Sequence, residues 1–251
     1  MQPLEELGRA TVDGSLLQLR RRGDDYHLTL DGQELMSTRV HGSEVVLADL
    51  GCAAAKKKPG ARVLVGGLGL GYTLRAALDQ VGPQATVTVA EIVPEVVEWN
   101  REFLNDRQRG ALTDSRTRIA QSDVWVPIGQ GPWDAILMDT DNGPQAWCLD
   151  GNSRLYDRRG LERLRDNLAP GGILAIWCAQ AEPLFVRHLQ KAGFEARLEQ
   201  ARGHFGADKS GEKRGKGFRH AVLVAEKTER GGNRRRPRKP APAKRRSRSR
   251  R

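Results

Sequence analysis

From Pro59 to Glu226 the chain alternates between two hydrophobic periods. Short, nearly continuous apolar runs, the mark of strands buried on both faces, are separated by stretches whose apolar residues recur every three or four positions, the mark of amphipathic helices. The pattern predicts strands at 62–65, 85–91, 117–120, 134–139, 172–178, 195–199 and 219–225, and helices at 72–80, 94–104, 160–168 and 183–192. Strands spaced by helices imply right-handed crossovers, and so an α/β class with a mostly parallel, seven-stranded sheet covered on both faces.

Before Pro59 the pattern changes. Short, partly alternating apolar runs break at Gly23-Asp24-Asp25 and at Asp31-Gly32, which predicts β-hairpins. Ser43, followed by Glu44 and the run Val45, Val46, Leu47 and Leu50, reads as the cap of a helix ending near Gly51, and 56–60 reads as a polar linker. The predicted organisation is a β-rich region with a linker helix over 1–58, an α/β domain over 59–226 and a tail over 227–251.

Charge sharpens the last boundary. The formal net charge is +11, but 227–251 holds 13 Lys or Arg against one acid, so the tail accounts for +12 and the rest is near −1. Rich in proline and lacking aromatics, the tail buries too little apolar surface to offset its ordering entropy, and disorder is expected. Such a run attaches non-specifically to nucleic acid by neutralising phosphates, or serves only as a solvated solubility tail. The polar start, the lack of a membrane-length apolar run and the scattered Cys52, Cys148 and Cys178 lead to the expectation of a soluble cytoplasmic protein without disulfides or a metal site.

The strongest chemical signal is Val63-Leu64-Val65-Gly66-Gly67-Leu68-Gly69-Leu70-Gly71, with Glu91 closing the next strand. Gly67, Gly69 and Gly71 let the chain leave its strand tightly and admit a ligand to the backbone, while Glu91 suits both ribose hydroxyls. The spacing is G-x-G-x-G rather than the dinucleotide G-x-G-x-x-G. Ser122-Asp123 follows the third strand, where a carboxylate accepts from an adenine amino group, although Asp123 also fits a helix cap. An adenosine site on a Rossmann-like sheet of the class I S-adenosylmethionine-dependent type is expected.

The fourth strand ends in Met138-Asp139-Thr140-Asp141-Asn142-Gly143-Pro144. Strand ends border the crevice of an open parallel sheet, so two carboxylates there suit a cationic amine, one orienting it and the other taking its proton. Asp141 equally fits an Asx-turn. With Glu91-Ile92-Val93-Pro94, Leu155-Tyr156 and Leu168-Ala169-Pro170-Gly171-Gly172, these motifs resemble, in order, the spermidine synthase (polyamine aminopropyltransferase) family over roughly 30–200. The resemblance implies a small N-terminal β domain, decarboxylated S-adenosylmethionine bound through Glu91 and Asp123, and Asp139 as the base. It also implies Asp141 holding an amine such as putrescine, Tyr156 along the acceptor channel, a homodimer and no metal.

The chain departs from that family in places. Leu70 replaces the acid of the family's GGGDGG turn, Val93 replaces the second acid of E-I-D, and His41-Gly42-Ser43-Glu44 stands where Tyr-His-Glu is expected. Leu70 opens a second reading, an S-adenosylmethionine-dependent methyltransferase, because a donor that keeps its carboxylate avoids an acid there. A third reading is a non-catalytic nucleoside-binding protein acting through its basic tail. Trp99 and Trp177 read as core, Trp125, Trp133 and Trp147 as packing near the crevice, and 203–217 as a loop between the last two strands.

Overall fold

A computed structural model describes residues 2–140, 153–202 and 219–228; Asp141, Trp147, Cys148, the 203–217 segment and the chain after Thr228 lie outside the described residues. Strands β1 (Glu5–Val12), β2 (Ser15–Arg22), β3 (Asp25–Leu30) and β4 (Gln33–Ser37) form an antiparallel meander. Asp13-Gly14 and Asp31-Gly32 both take positive φ, as the primed two-residue turn requires to match strand twist. The first of these turns, and with it β1, is absent from the sequence reading.

Helix α1 (Gly42–Gly51) follows, and it begins earlier than its expected cap. His41 occupies the cap position without a side-chain bond. Ser43 lies inside the first turn, where its hydroxyl donates to Glu44 Oε2 at 2.7 Å. A hydroxyl committed to a neighbouring side chain does not serve the helix's free amides, so Ser43 is not the cap.

The main domain runs β5 (Arg62–Gly66), α2 (Tyr72–Gln80), β6 (Thr86–Ala90), α3 (Pro94–Trp99), β7 (Thr117–Ala120), α4 (Trp125–Ile128), β8 (Trp133–Met138), α5 (Ser153–Tyr156), α6 (Arg158–Asp166), β9 (Leu168–Cys178), α7 (Pro183–Lys191), β10 (Glu195–Arg202) and β11 (Arg219–Glu226). The sheet order is β10-β11-β9-β8-β5-β6-β7. Strands β5 to β9 pair in parallel, and β11 runs antiparallel between β9 and β10. This is the mostly parallel, seven-stranded sheet expected.

Successive residues of a strand serve opposite faces. Val63 and Val65 join Leu47 of α1 and Leu74 and Ala77 of α2; Leu64 joins Ile136, Leu161 and Leu164 on the other face. All three β5 residues are fully buried, which is why the strand reads as an unbroken apolar run. The meander packs on the first face through Leu17, Leu19 and Leu28. Beside it Trp99 lies so close to Gly8 that a Cβ there would sit 2.2 Å from the indole nitrogen.

Two boundaries shift for visible reasons. Asp157 caps α6, its Oδ1 accepting from the Gly160 amide at 2.7 Å, so the helix starts before 160. Strand β9 runs through the expected Ala169–Gly172 turn because Lys227 pairs with it: the Lys227 amide donates to Gly172 O at 2.9 Å, the Gly171 amide to Lys227 O at 2.8 Å, and Lys227 Nζ to Leu168 O at 2.6 Å. Lys227 is thus anchored to the sheet rather than heading a free tail. Among the described residues no helix is long and apolar enough to cross a membrane.

Candidate active site

From β5 the chain moves outward through β6 to β7, then returns to β8 on the other side of β5. Such a switch point opens a crevice at the carboxyl ends of the strands. A cleft of about 550 Å³ lies there, with Gly67, Gly69, Glu91, Ser122, Asp123 and Asp139 on its sheet side and Leu17, Leu28, Leu30 and Met36 of the meander opposite. The tips are interlocked by ladder bonds continued past the strand ends. The amides of Gly67, Glu91 and Asp139 donate to Ala90 O (2.9 Å), Ala120 O (3.0 Å) and Gly66 O (2.9 Å).

Each glycine of the turn answers a close approach. A Cβ at Gly67 (φ +87°) would lie 2.5 Å from the Asp139 carbonyl oxygen, and one at Gly69 (φ +49°) 2.6 Å from Met36 Sδ. Gly71 does not line the cleft, contrary to its expected ligand role; it holds the N-terminal cap of α2 in the left-handed region. Two buried amides that the sequence reading passed over brace this turn. Asn100 Nδ2 donates to Gly69 O (2.7 Å) and Val96 O (2.8 Å), and Gln108 Nε2 to Leu70 O (2.8 Å). Asn100 opens a π-helical turn over Asn100–Leu104, a local widening that recurs near functional sites. Its sequence signal is an amide on an otherwise apolar helix face.

Glu91 is buried, with Oε2 accepting from the Leu68 amide (3.0 Å) and Oε1 from the Val93 amide (2.8 Å). The carboxylate thereby ties the glycine turn to the tip of β6. Asp123 realises the helix-cap geometry, Oδ1 accepting from the Trp125 amide at 2.9 Å, and Arg154 pairs with its Oδ2; it also lines the cleft, as does Ser122. Asp139 Oδ2 accepts from the Thr73 hydroxyl at 2.5 Å. Thr73 is buried in the first turn of α2, so one connection positions both the glycine turn and this carboxylate.

Other expected residues fall elsewhere. Tyr156 is buried edge-on against Phe185 and is not a wall of the cleft; its hydroxyl stands 3.5 Å from Thr140 Oγ1, and Thr140 is a wall. Leu70 is 2% exposed and packs in the core, so it makes no room for a donor carboxylate and its motive for methyl transfer falls away. Trp177, read as core, lines the cleft, because it stands at the carboxyl end of β9. His41 stacks on Tyr72 at 4.1 Å.

The wall is strongly acidic. Asp13, Glu34, Glu44, Glu91, Asp123 and Asp139 line it, and among the described residues no lysine or arginine does. Of these, Asp123 is paired with Arg154 and Glu34 with His27. A cavity with this lining attracts cations and repels phosphate-bearing ligands. Among the described residues no cluster of His, Cys, Asp or Glu is arranged to hold a metal. Burial pushes the free thiols of Cys52 and Cys178 up to about 12, which leaves them unreactive.

No protein-family profile matches the chain. Over 120 residues, 45% of this chain, it is 32% identical to polyamine aminopropyltransferase 2 of Pseudomonas aeruginosa, a stretch that covers 32% of that protein. The spermidine synthase from Thermotoga maritima superimposes with a TM-score of 0.66 at 17% identity, covering 89% of this chain and 73% of that one. A spermidine synthase in complex with the transition state analogue AdoDATO gives 0.64 at 18% identity, with 89% and 72% covered.

Sheet order, glycine turn and switch-point cleft define a Rossmann-like protein of the class I methyltransferase type. Within that class the chain is a divergent relative of the spermidine synthase (polyamine aminopropyltransferase) family. The match spans about a third of the length of the curated relative.

Proposed function

We propose that this protein transfers an aminopropyl group from decarboxylated S-adenosylmethionine to a small amine such as putrescine. The observation that carries the proposal is the six-carboxylate cleft wall without lysine or arginine. A sulfonium donor and an amine acceptor are both cationic, and the carboxylate of intact S-adenosylmethionine has no basic side chain to meet among the described residues. The wall therefore supports the decarboxylated donor over the methyl-transfer reading.

In this reaction the acceptor nitrogen's lone pair attacks the methylene carbon on sulfur. The carbon–sulfur bond breaks, its electron pair returns to sulfur, and methylthioadenosine leaves. Asp139 accepts the proton that the amine sheds, Glu91 holds the ribose, Asp123 and Ser122 face the adenine, and Asp141 assists the acceptor. The protein's contribution is alignment and proton removal. Incubating the purified protein with putrescine and decarboxylated S-adenosylmethionine is expected to yield spermidine and methylthioadenosine in equal amounts. Methylated product from S-adenosylmethionine, with no spermidine, would overturn the assignment.

Thr73 offers a check on the base. A hydroxyl donating to a carboxylate favours the charged form, so its removal raises the acid's pKa. Thr73→Val is expected to move the acidic limb of the kcat–pH profile upward and to lower kcat at neutral pH by about tenfold, the worth of roughly 1.4 kcal/mol. Thr73→Ser should restore both. An unmoved limb in Thr73→Val would count against Asp139 as the titrating base.

A further inference from the structure

The cleft has a second functional end, away from the β8 tip. Glu44 of α1 lines it at 7% exposure. The Ser43 hydroxyl donates to Glu44 Oε2 at 2.7 Å, and His220 Nδ1, at the start of β11, lies 3.0 Å from the same hydroxyl. A hydroxyl that gives its proton to Glu44 receives one from His220, which fixes Nδ1–H as the donor. The His220 ring meets Trp177 edge-on at 4.8 Å, and the Trp177 indole N–H is buried without a hydrogen-bond partner. Trp177 and His220 are also cleft walls. Burial raises the Glu44 carboxyl above its ordinary pKa, the condition of an acid that gains from a nearby cation.

A buried carboxylate beside an indole is the chemistry that recognises an ammonium, through charge pairing and cation–π attraction. Strand β11 is two strands from β8, so this end stands on the order of 10 Å from the Asp139 tip at ordinary strand spacing. We propose that Glu44 and Trp177, with Ser43 and His220 orienting the carboxylate, form an ammonium subsite that selects doubly charged acceptors over singly charged ones. The proposal rests on the transfer reaction above, and gives that reaction its acceptor specificity.

The test compares 1,4-diaminobutane with 1-aminobutane, for calorimetric binding in the presence of methylthioadenosine and for transfer, in the full chain and in Glu44→Gln and Trp177→Phe. Glutamine retains an acceptor for Ser43, and the thermal midpoint of each variant is recorded as a check on folding. The wild type is expected to bind the diamine at least about tenfold more tightly than the monoamine, and both variants to reduce that preference to about twofold or less, as loss of a charged partner implies. Transfer with the preference intact in both variants overturns the subsite and leaves the reaction standing. Diamine binding that the variants weaken, without any transfer, leaves the subsite standing and overturns the reaction. Equal binding of the two amines to the wild type, or no binding of either, overturns the subsite.

Discussion

Replacing Asp139 by asparagine is expected to lower kcat by about a thousandfold while changing nucleoside affinity by less than about threefold, within the range that loss of a positioned general base produces. Asparagine matches the shape of aspartate and still accepts from the Thr73 hydroxyl, now 2.5 Å from Oδ2, so the glycine turn and the β8 tip keep their places. What is lost is the ability to take a proton. Donor affinity and turnover are carried by different tips, Glu91 on β6 and Asp139 on β8, and the two measurements should separate. Asp139→Asn with near wild-type kcat would remove the residue from the chemistry. A parallel collapse of nucleoside binding would make it a structural brace.

Gly67→Ala is the second large effect, read in stability. Its φ of +87° lies in the left-handed region, and the new Cβ would meet the Asp139 carbonyl oxygen at 2.5 Å. Neither partner yields easily, since the Gly67 amide is bonded to Ala90 O and the Asp139 amide to Gly66 O. Left-handed strain of about 1–2 kcal/mol plus the backbone clash gives an expected loss of about 3 kcal/mol in denaturant unfolding, at the upper end of ordinary single substitutions. Gly14→Ala is the control. It shares the positive φ (+84°) but has nothing within 4 Å of the added carbon, so only the strain, about 1–2 kcal/mol, is expected. Equal losses in the two variants would mean that the close approach of the glycine turn to the β8 tip is unimportant.

The contrast between these glycines bears on what the sequence can reveal. Order and type of the strands were legible because β5, β6 and β8 are covered on both faces, and their residues must be apolar whichever way they point. Glu91 and Asp139 were legible because each closes an apolar run, and the end of a parallel strand has a fixed relation to the crevice. Positive-φ glycines were legible as a turn, but their neighbours were not: Met36 over Gly69 and Asn100 beside Gly71 are contacts between segments far apart in sequence.

The same limit explains the misreadings. Trp177 has the apolar neighbours of a core residue, and only the ending of its strand at the cleft exposes it. Leu70 sits in a motif that suggests a ligand contact, yet the turn directs it inward. The meander's role as the opposite wall had no periodic signature, because a face covering a ligand and a face covering a core are both apolar. Glu44, Ser43 and His220 come together from α1 and β11, a meeting that spacing along the chain does not encode.

The account depends on a cleft whose acids welcome positive charge and refuse negative charge at the sulfur end of an adenosine. Calorimetric titration of the protein with decarboxylated and with intact S-adenosylmethionine tests this directly, because the two donors differ by a single carboxylate. Binding of the decarboxylated donor at least about tenfold more tightly is the predicted result, since like charges placed together at a binding site are costly. Equal affinity, or preference for the intact donor, would contradict it.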